Sequence, residues 1–374
     1  MSEDPLRLAF VADPNSIHTR HWLGFFVERN HRVFLLDGFG AEIAPGLDPR
    51  IQIERYVAHP GPRLPLVSLL RGRAALRRLL RQLQPDVLHA LFVRRYGWQA
   101  ALSGFHPLVV TPWGSDLLLE SLRTRRVRAW DRRALRGAEL VTYLSTPLRE
   151  AAIAAGADPA RLVSIQEGVD TERFAPGPPD RTLAERLRLD GRRLVFSPRA
   201  VRPLYRQELV LRAFAGLPPD TALLLSAHNA DRGYLGMLYE EAEHLRVADR
   251  LRVVESLDEA GMVAAYRLAD LVVSVPASDG RPVSVMEAMA CGVPVVAGDL
   301  PAVRELLGEI SPELLIAGDD AAQLADAMRR ALELDEATRQ RLGAALREHV
   351  VRTSDWRMNM GRMEELYREL ARSS

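Results

Sequence analysis

The sequence predicts an α/β chain built as two doubly wound, parallel-sheet halves, and three observations carry that expectation. Short apolar runs recur along the 374 residues, each followed by an amphipathic stretch. That alternation builds parallel sheets covered by helices on both faces. A Pro/Gly-rich break, APGPPD at 175–180, divides the chain near its middle. The length suits two domains of ordinary size.

In order, residues 7–12 (RLAFVA) predict the first strand, followed by a polar loop with Pro14, Asn15 and Ser16 and a helix over 18–30. Further strands are expected at 32–36 (RVFLL), 85–90 (PDVLHA), 107–113 (PLVVTPW) and 139–145 (ELVTYLS), the last followed by a helix from Pro147 to about Gly156. The second half restarts with RRLVFSPRAV at 192–201. It continues through strands at 222–227, 251–256, 270–276, 293–298 and 313–318. The stretch from Asp355 is amphipathic, with Trp356, Met360, Met363, Leu366, Tyr367 and Leu370 at helical spacing. The predicted boundaries are 1–170 for the first domain, 171–190 for a linker, 191–354 for the second domain and 355–374 for a last helix. Ligands of such sheets lie outside the carboxyl ends of the strands. That rule points to 13–20, 89–96, 113–116 and Ser145.

Composition narrows the chemistry. All 50 basic residues are Arg, which excludes a Schiff-base or P-loop lysine and leaves any phosphate to arginine. Net charge is +1, but residues 1–170 hold 23 Arg against 17 acids and the remainder 27 against 32. No global nucleic-acid footprint results, and no zinc pattern or aromatic platform supports one. The single cysteine, Cys291, excludes an internal disulfide and fits a reducing compartment. No apolar run of about 18 residues predicts a membrane span, and MSEDPLRLAF lacks a signal-peptide layout.

The most informative segment is 274–305, SVPASDGRPVSVMEAMACGVPVVAGDLPAVRE. It sets Asp279 in a loop after a buried strand and Glu287 eight positions later inside a short helix. Gly280 lets backbone approach a ligand closely. A helix opening near Val283 or Ser284 leaves unpaired N–H groups that favour an anion. Carboxylates beside such an end suit sugar and ribose hydroxyls, so the combination fits a nucleotide sugar better than a bare phosphate. A second group, Arg199, Arg202 and Arg206, follows a strand and precedes an apolar helix. Positive charge is unfavourable at that helix end without an anion.

The run DGRPVSVMEAMACGVPVV resembles the E-x7-E signature of retaining family-4 glycosyltransferases. The resemblance implies the GT-B fold, two Rossmann-like domains facing across a cleft, with the last helix crossing back to the first domain. The passage 162–174, with Glu167, Gly168, Val169 and Asp170, is similar to the family's interdomain segment. By the same resemblance Asp279, one methylene shorter than the family's Glu, meets hydroxyls of the donor sugar, and Glu287 meets the nucleotide ribose. Gly280, Arg281, Pro282, Val283 and Ser284 surround the donor. Arg199 and Arg206 take the places of an Arg and a Lys on the donor diphosphate, with Arg202 beside them. Backbone near Ser256 selects the base. DPNSIHTRHW resembles a first loop found in a subset of members, which places Ser16, His18 and Arg20 near the acceptor or the diphosphate. In TPWGSD, Trp113 stands where many members have a His, and Asp116 is the candidate for orienting a sugar or acceptor hydroxyl. His89 ends a strand near the cleft or is packed in the core; both readings stand at this stage.

The activity so implied is retaining transfer of a sugar from a nucleotide-diphosphate sugar to an acceptor hydroxyl. It needs no metal or cofactor beyond the donor co-substrate. The acceptor is a small molecule, a glycan or a lipid-linked group. A non-catalytic relative that binds sugar nucleotide or a partner, and a nucleotide-sugar epimerase, are the alternatives. The Arg-rich stretches 70–82 and 122–137 have helical spacing. They suit either a solvated face or docking on an anionic membrane, so the expected location is cytoplasmic or peripheral at the inner membrane face.

Overall fold

The structure is a computed structural model that describes residues 4–40, 42–56, 65–120, 124–166 and 168–373. Glu167, and residues 122–123 of the second Arg-rich stretch, lie outside the described residues. The chain divides into two compact units, 1–166 with 358–374, and 167–357.

The first unit is a seven-stranded parallel sheet. Its strands are β1 (Arg7–Val11), β2 (Arg32–Asp37), β3 (Gln52–Arg55), β4 (Val87–Leu91), β5 (Leu108–Thr111), β6 (Leu140–Tyr143) and β7 (Leu162–Ser164), in the spatial order 3-2-1-4-5-6-7. Alternate residues of β1 face opposite sides, and both sides are covered. Ala9 and Val11 join Phe34, Leu88 and Val110 under the helices on one face. Phe10 meets Phe26 and Tyr367 on the other. That double burial is why these strands read as unbroken apolar runs.

The last helix, Trp356–Arg372, supplies Met360, Met363, Leu366 and Tyr367 to the first unit's interior at spacings of three and four. Its Glu364 accepts from Arg29 and from Arg368 at 2.8 Å, and from His31 Nε2 at 3.1 Å. His31 Nδ1 accepts the Leu6 N–H, so the ring proton sits on Nε2. Burial lowers the His31 pKa and keeps the ring neutral.

The second unit is a six-stranded parallel sheet. It comprises β8 (Arg193–Ser197), β9 (Thr221–Ser226), β10 (Leu251–Val254), β11 (Leu271–Ser274), β12 (Val295–Gly298) and β13 (Leu315–Ile316), ordered 10-9-8-11-12-13. Residues 171–190, expected as a linker, belong to this unit. They carry helix Arg181–Arg186, and Phe174, Leu183, Leu187 and Leu189 are buried in its core. The Pro/Gly cluster breaks the secondary structure without breaking the packing. Two stretches near the unit's ends pair side by side: Val169 N–H donates to Ser354 O and Trp356 N–H to Val169 O, both at 2.9 Å. Gly168 has φ +75, and a Cβ there would lie 2.4 Å from Ser354 O, so only glycine fits.

Five helices of this unit start on an aspartate whose carboxylate accepts a first-turn N–H: Asp180, Asp231, Asp258, Asp320 and Asp335. Helices Gln207–Ala215 and Val283–Ala290 start on Arg206 and Pro282 with no side-chain cap.

Candidate active site

In each sheet the strand order reverses beside the first strand of the unit. The reversal falls between β1 and β4 in the first unit and between β8 and β11 in the second. At such a point neighbouring loops run opposite ways and leave a crevice at the carboxyl ends.

In the second unit, Arg199 follows β8 and Asp279 follows β11, so they flank the reversal. Arg199 Nη2 lies 2.8 Å from Asp279 Oδ2, with the side chains 16% and 9% exposed. Arg199 Nη1 donates to Ser284 Oγ at 3.3 Å, and its Cζ sits 4.4 Å from the Tyr205 ring centroid. Its carbonyl accepts from Gln207 Nε2 at 2.8 Å, and Gln207 Oε1 in turn accepts from Ser197 Oγ. The guanidinium is thus held by a carboxylate, a hydroxyl and an aromatic face.

Asp279 Oδ1 accepts the Arg281 N–H at 3.1 Å, which folds the 279–282 loop back on itself. Gly280 and Pro282 are buried, and Val283 packs on the core. Pro282 opens helix Val283–Ala290 with no side-chain cap, and the first-turn N–H groups of a helix lack partners within the helix itself. Glu287, on the same helix, accepts a 2.6 Å bond from Tyr266 OH. The buried Arg281 guanidinium is spent inward, on Ser354 Oγ at 3.1 Å and toward Glu305 at 3.4 Å. Burial pulls its pKa down to about 10, so it stays charged at neutral pH.

The other expected donor residues sit farther along the same edge. Arg206 adopts a left-handed conformation (φ +51) and pairs with Asp319, beyond β13, at 2.5 Å. Arg202 is exposed and donates to Asn229 O. Ser256 is exposed after β10, two strands away from β8. Cys291 is buried, and its thiol is pushed up to about 12, which rules it out as a nucleophile.

In the first unit the start of helix Ile17–Glu28 and the loop after β5 bring His18 and Trp113 together, ring centroids 5.4 Å apart in an edge geometry. Trp113 Nε1 is buried with no acceptor among the described residues. Ser16 starts helix Ile17–Glu28 without capping it through its side chain. Arg20 braces the loop, donating to Pro14 O, Ala44 O and Pro45 O.

His89 takes the packed alternative. It is fully buried, with Nε2 2.7 Å from Thr111 Oγ1 and Nδ1 against Tyr367 OH. Burial pulls its pKa down to about 3, so it stays neutral.

Asp116 is also fully buried. Oδ2 accepts Val93 N–H and Oδ1 accepts Gly114 N–H, both at 2.9 Å. It therefore clips the loop after β4 to the loop after β5. The clip holds a strained turn: Phe92 and Arg95 have φ +92 and +67, costly for residues with a Cβ and common at functional sites. The Arg95 guanidinium lies over Phe39, and Arg94 lies over Trp98.

Asp116→Asn turns one acceptor into an amide that faces a backbone N–H. We expect a stability loss of about 1–3 kcal/mol at pH 7. Burial pushes the Asp116 carboxyl up from 3.8 to about 6. Between those values the native chain holds a proton that the unfolded chain has released. This group's contribution therefore falls as pH rises through that window, by about 3 kcal/mol in full. Urea titrations should show the gap between wild type and variant widening as pH falls from 6 to 4; a constant gap would contradict it.

Sequence reasoning missed Tyr205, Tyr266 and Asp319. Tyr266 carries the one usable signal, a phenol in a helix of small and apolar residues, since a buried Tyr O–H needs a partner.

Two parallel α/β units, with an uncapped helix start, an arginine and two carboxylates at the second unit's switch point, have the architecture of the GT-B class. Residues 180–349 match the family described as Glycosyl transferases group 1, and residues 16–173 match Glycosyltransferase Family 4. The chain belongs to this family of group 1, family-4 glycosyltransferases.

It is 30% identical over 279 residues to the GDP-mannose-dependent alpha-(1-6)-phosphatidylinositol monomannoside mannosyltransferase of Mycolicibacterium smegmatis, covering 71% of each chain. It is 34% identical over 207 residues to the D-inositol 3-phosphate glycosyltransferase of Geodermatophilus obscurus, covering 52% of this chain and 44% of that one. The chain thus spans less than half of that relative's length. Among solved structures, Anabaena HepE in complex with UDP and glucose superimposes with a TM-score of 0.82 at 20% identity, over 97% of this chain and all of that one. WaaG, a glycosyltransferase involved in lipopolysaccharide biosynthesis, gives 0.74 at 15% identity, over 96% and 99%. At these identities the structures speak for the fold alone.

Proposed function

We propose that this chain is a retaining glycosyltransferase that moves a sugar from a nucleoside-diphosphate sugar to an acceptor hydroxyl, without a metal. The observation that carries this reading is Arg199 beside Asp279 and the uncapped start of helix Val283–Ala290 at the second unit's switch point.

In this reading Arg199, the Ser284 hydroxyl and the first-turn N–H groups hold the diphosphate. They stabilise the charge that grows there as the bond from the sugar's anomeric carbon to phosphate oxygen breaks. Arg206 adds positive charge from the next helix start. Asp279 takes donor-sugar hydroxyls and Glu287 the ribose hydroxyls. The acceptor oxygen attacks the anomeric carbon from the face the phosphate leaves, and its proton passes to the departing phosphate oxygen. No enzyme nucleophile is needed.

The acceptor belongs to the first unit, near His18, Trp113 and the strained turn at 92–95. Relatives named for D-inositol 3-phosphate and for a phosphatidylinositol mannoside make a hydroxyl on a phosphorylated polyol the first class to try. Helix Arg125–Arg136 exposes Arg125, Arg126, Arg128, Arg132, Arg133 and Arg136 while burying Asp131. That face suits an anionic bilayer as a peripheral docking surface. No helix among the described residues is long and apolar enough to span a membrane.

The test is an incubation with UDP-, GDP- and ADP-sugars of α configuration and polyol-phosphate acceptors in EDTA, with the product anomer read by NMR. An α-linked product is expected. A β-linked product, turnover abolished by EDTA, or conversion to a free epimeric sugar would overturn the assignment. Sedimentation with phosphatidylglycerol vesicles but not phosphatidylcholine vesicles is expected, and equal recovery would remove the membrane surface.

A further inference from the structure

We infer that Tyr266 is the positioning residue that fixes Glu287 and so sets the preference for a ribose-bearing nucleotide; this rests on the donor reading above. Tyr266 comes from helix Glu259–Leu268, outside both motifs that define the site, and is fully buried. Its ring is wedged edge-on between Phe174 and Phe196, with centroids at 5.9 and 5.3 Å, so the hydroxyl has little freedom to move. That hydroxyl lies 2.6 Å from Glu287 Oε2 and 3.1 Å from Ser284 O.

A phenol has one proton. The shorter contact, to the carboxylate, takes it, because hydrogen bonds to charged acceptors are the stronger ones. Burial and the adjoining Glu287 raise the Tyr266 pKa well above its usual value, so the group remains a donor throughout the working pH range.

The consequence is geometric. Glu287 is a long side chain in the second turn of a short helix, with several rotamers open to it. The Tyr266 bond pins Oε2 and so holds the carboxylate in one orientation, the one offered to the vicinal hydroxyls of a ribose. A carboxylate held in this way loses less freedom when it grips a diol. It also discriminates against a sugar that lacks the diol, because its acceptor sites then go unfilled. Tyr266→Phe removes the oxygen and keeps the ring in its slot.

The experiment is calorimetric titration of UDP, GDP and their 2′,3′-dideoxy counterparts into wild type and Tyr266→Phe, beside thermal melts. Wild type should bind one ribonucleotide at least tenfold tighter than its dideoxy form. In Tyr266→Phe that ratio should shrink to about threefold or less, with dideoxy affinity nearly unchanged. In assays the donor KM should rise while kcat moves little. Wild type binding neither ribonucleotide would break the donor reading itself. Wild-type discrimination that persists in Tyr266→Phe would overturn the role of Tyr266. A purely structural tyrosine would weaken both ligands equally and lower the melting temperature, and that outcome also overturns it. Should Tyr266→Phe fail to fold, Tyr266→Met removes the phenol while filling the slot with an adaptable apolar side chain; the same ratio should shrink there, and discrimination that survives would overturn the role of Tyr266.

Discussion

Arg199→Ala should lower kcat/KM for the nucleotide sugar by about 10²–10³, the scale seen when one preorganised charge-stabilising donor is removed from a reacting centre. Arg199 is the cation at the switch point, fixed by Asp279, Ser284 and the Tyr205 face. Those restraints aim the guanidinium before a donor arrives, so little reorganisation remains for the reaction itself. The loss should appear in both kcat and nucleotide affinity, since the diphosphate carries more charge as it leaves than while it is bound. Arg199→Lys keeps the charge but gives up the planar fork and the stacking on Tyr205. It should retain an intermediate activity. Steady-state kinetics on the three proteins decide this; an Arg199→Ala enzyme within threefold of wild type would remove Arg199 from the mechanism.

The second large effect runs in opposite directions for two ligands. The Asp279 carboxylate sits 2.8 Å from Arg199, in the site proposed for the diphosphate. It therefore competes with the nucleotide for Arg199 and repels its phosphates. At about 5 Å and an effective dielectric of about 20, such a repulsion is at most about 3 kcal/mol. Asp279→Asn keeps an oxygen for the Arg281 N–H and removes the charge. UDP or GDP alone should then bind about 3–30-fold tighter, while sugar transfer falls about 100-fold because a charged acceptor of donor-sugar hydroxyls is gone. Calorimetry with the bare nucleotides beside a transfer assay reads both. Weaker nucleotide binding in Asp279→Asn would show that Asp279 supports the diphosphate loop more than it opposes the phosphate.

The buried strands were legible because parallel strands covered on both faces must be apolar throughout. Only β3 escaped. QIER at 52–55 is a four-residue edge strand with little burial, so neither run nor alternation marks it. The segment 171–190 looked like a linker because Pro and Gly dominate its start, yet its leucines are core.

In the site, Asp279, Glu287 and Arg199 were readable because each sits in a compact motif beside its strand. Tyr266, which meets Glu287, and Asp319, which pairs with Arg206, reach the same edge from elsewhere, and spacing along the chain carries no trace of that. His89 and Asp116 show the converse. Their chemistry suggested a ligand, but one side chain belongs to the sheet face covered by Trp22 and Tyr367, and the other is enclosed by two loops. Residue type alone does not reveal on which side of a strand end a group falls. The strain at Phe92 and Arg95 was equally silent, since neither position offers the glycine that would have announced a left-handed turn.

The measurement that bears most directly on the donor site is calorimetric titration of UDP and GDP, in EDTA, into wild type and Arg199→Ala. The account predicts one-to-one binding of one nucleotide to wild type and a loss of tenfold or more in the variant. Binding unchanged by the substitution, or no binding of either nucleotide to a folded wild-type protein, would contradict it.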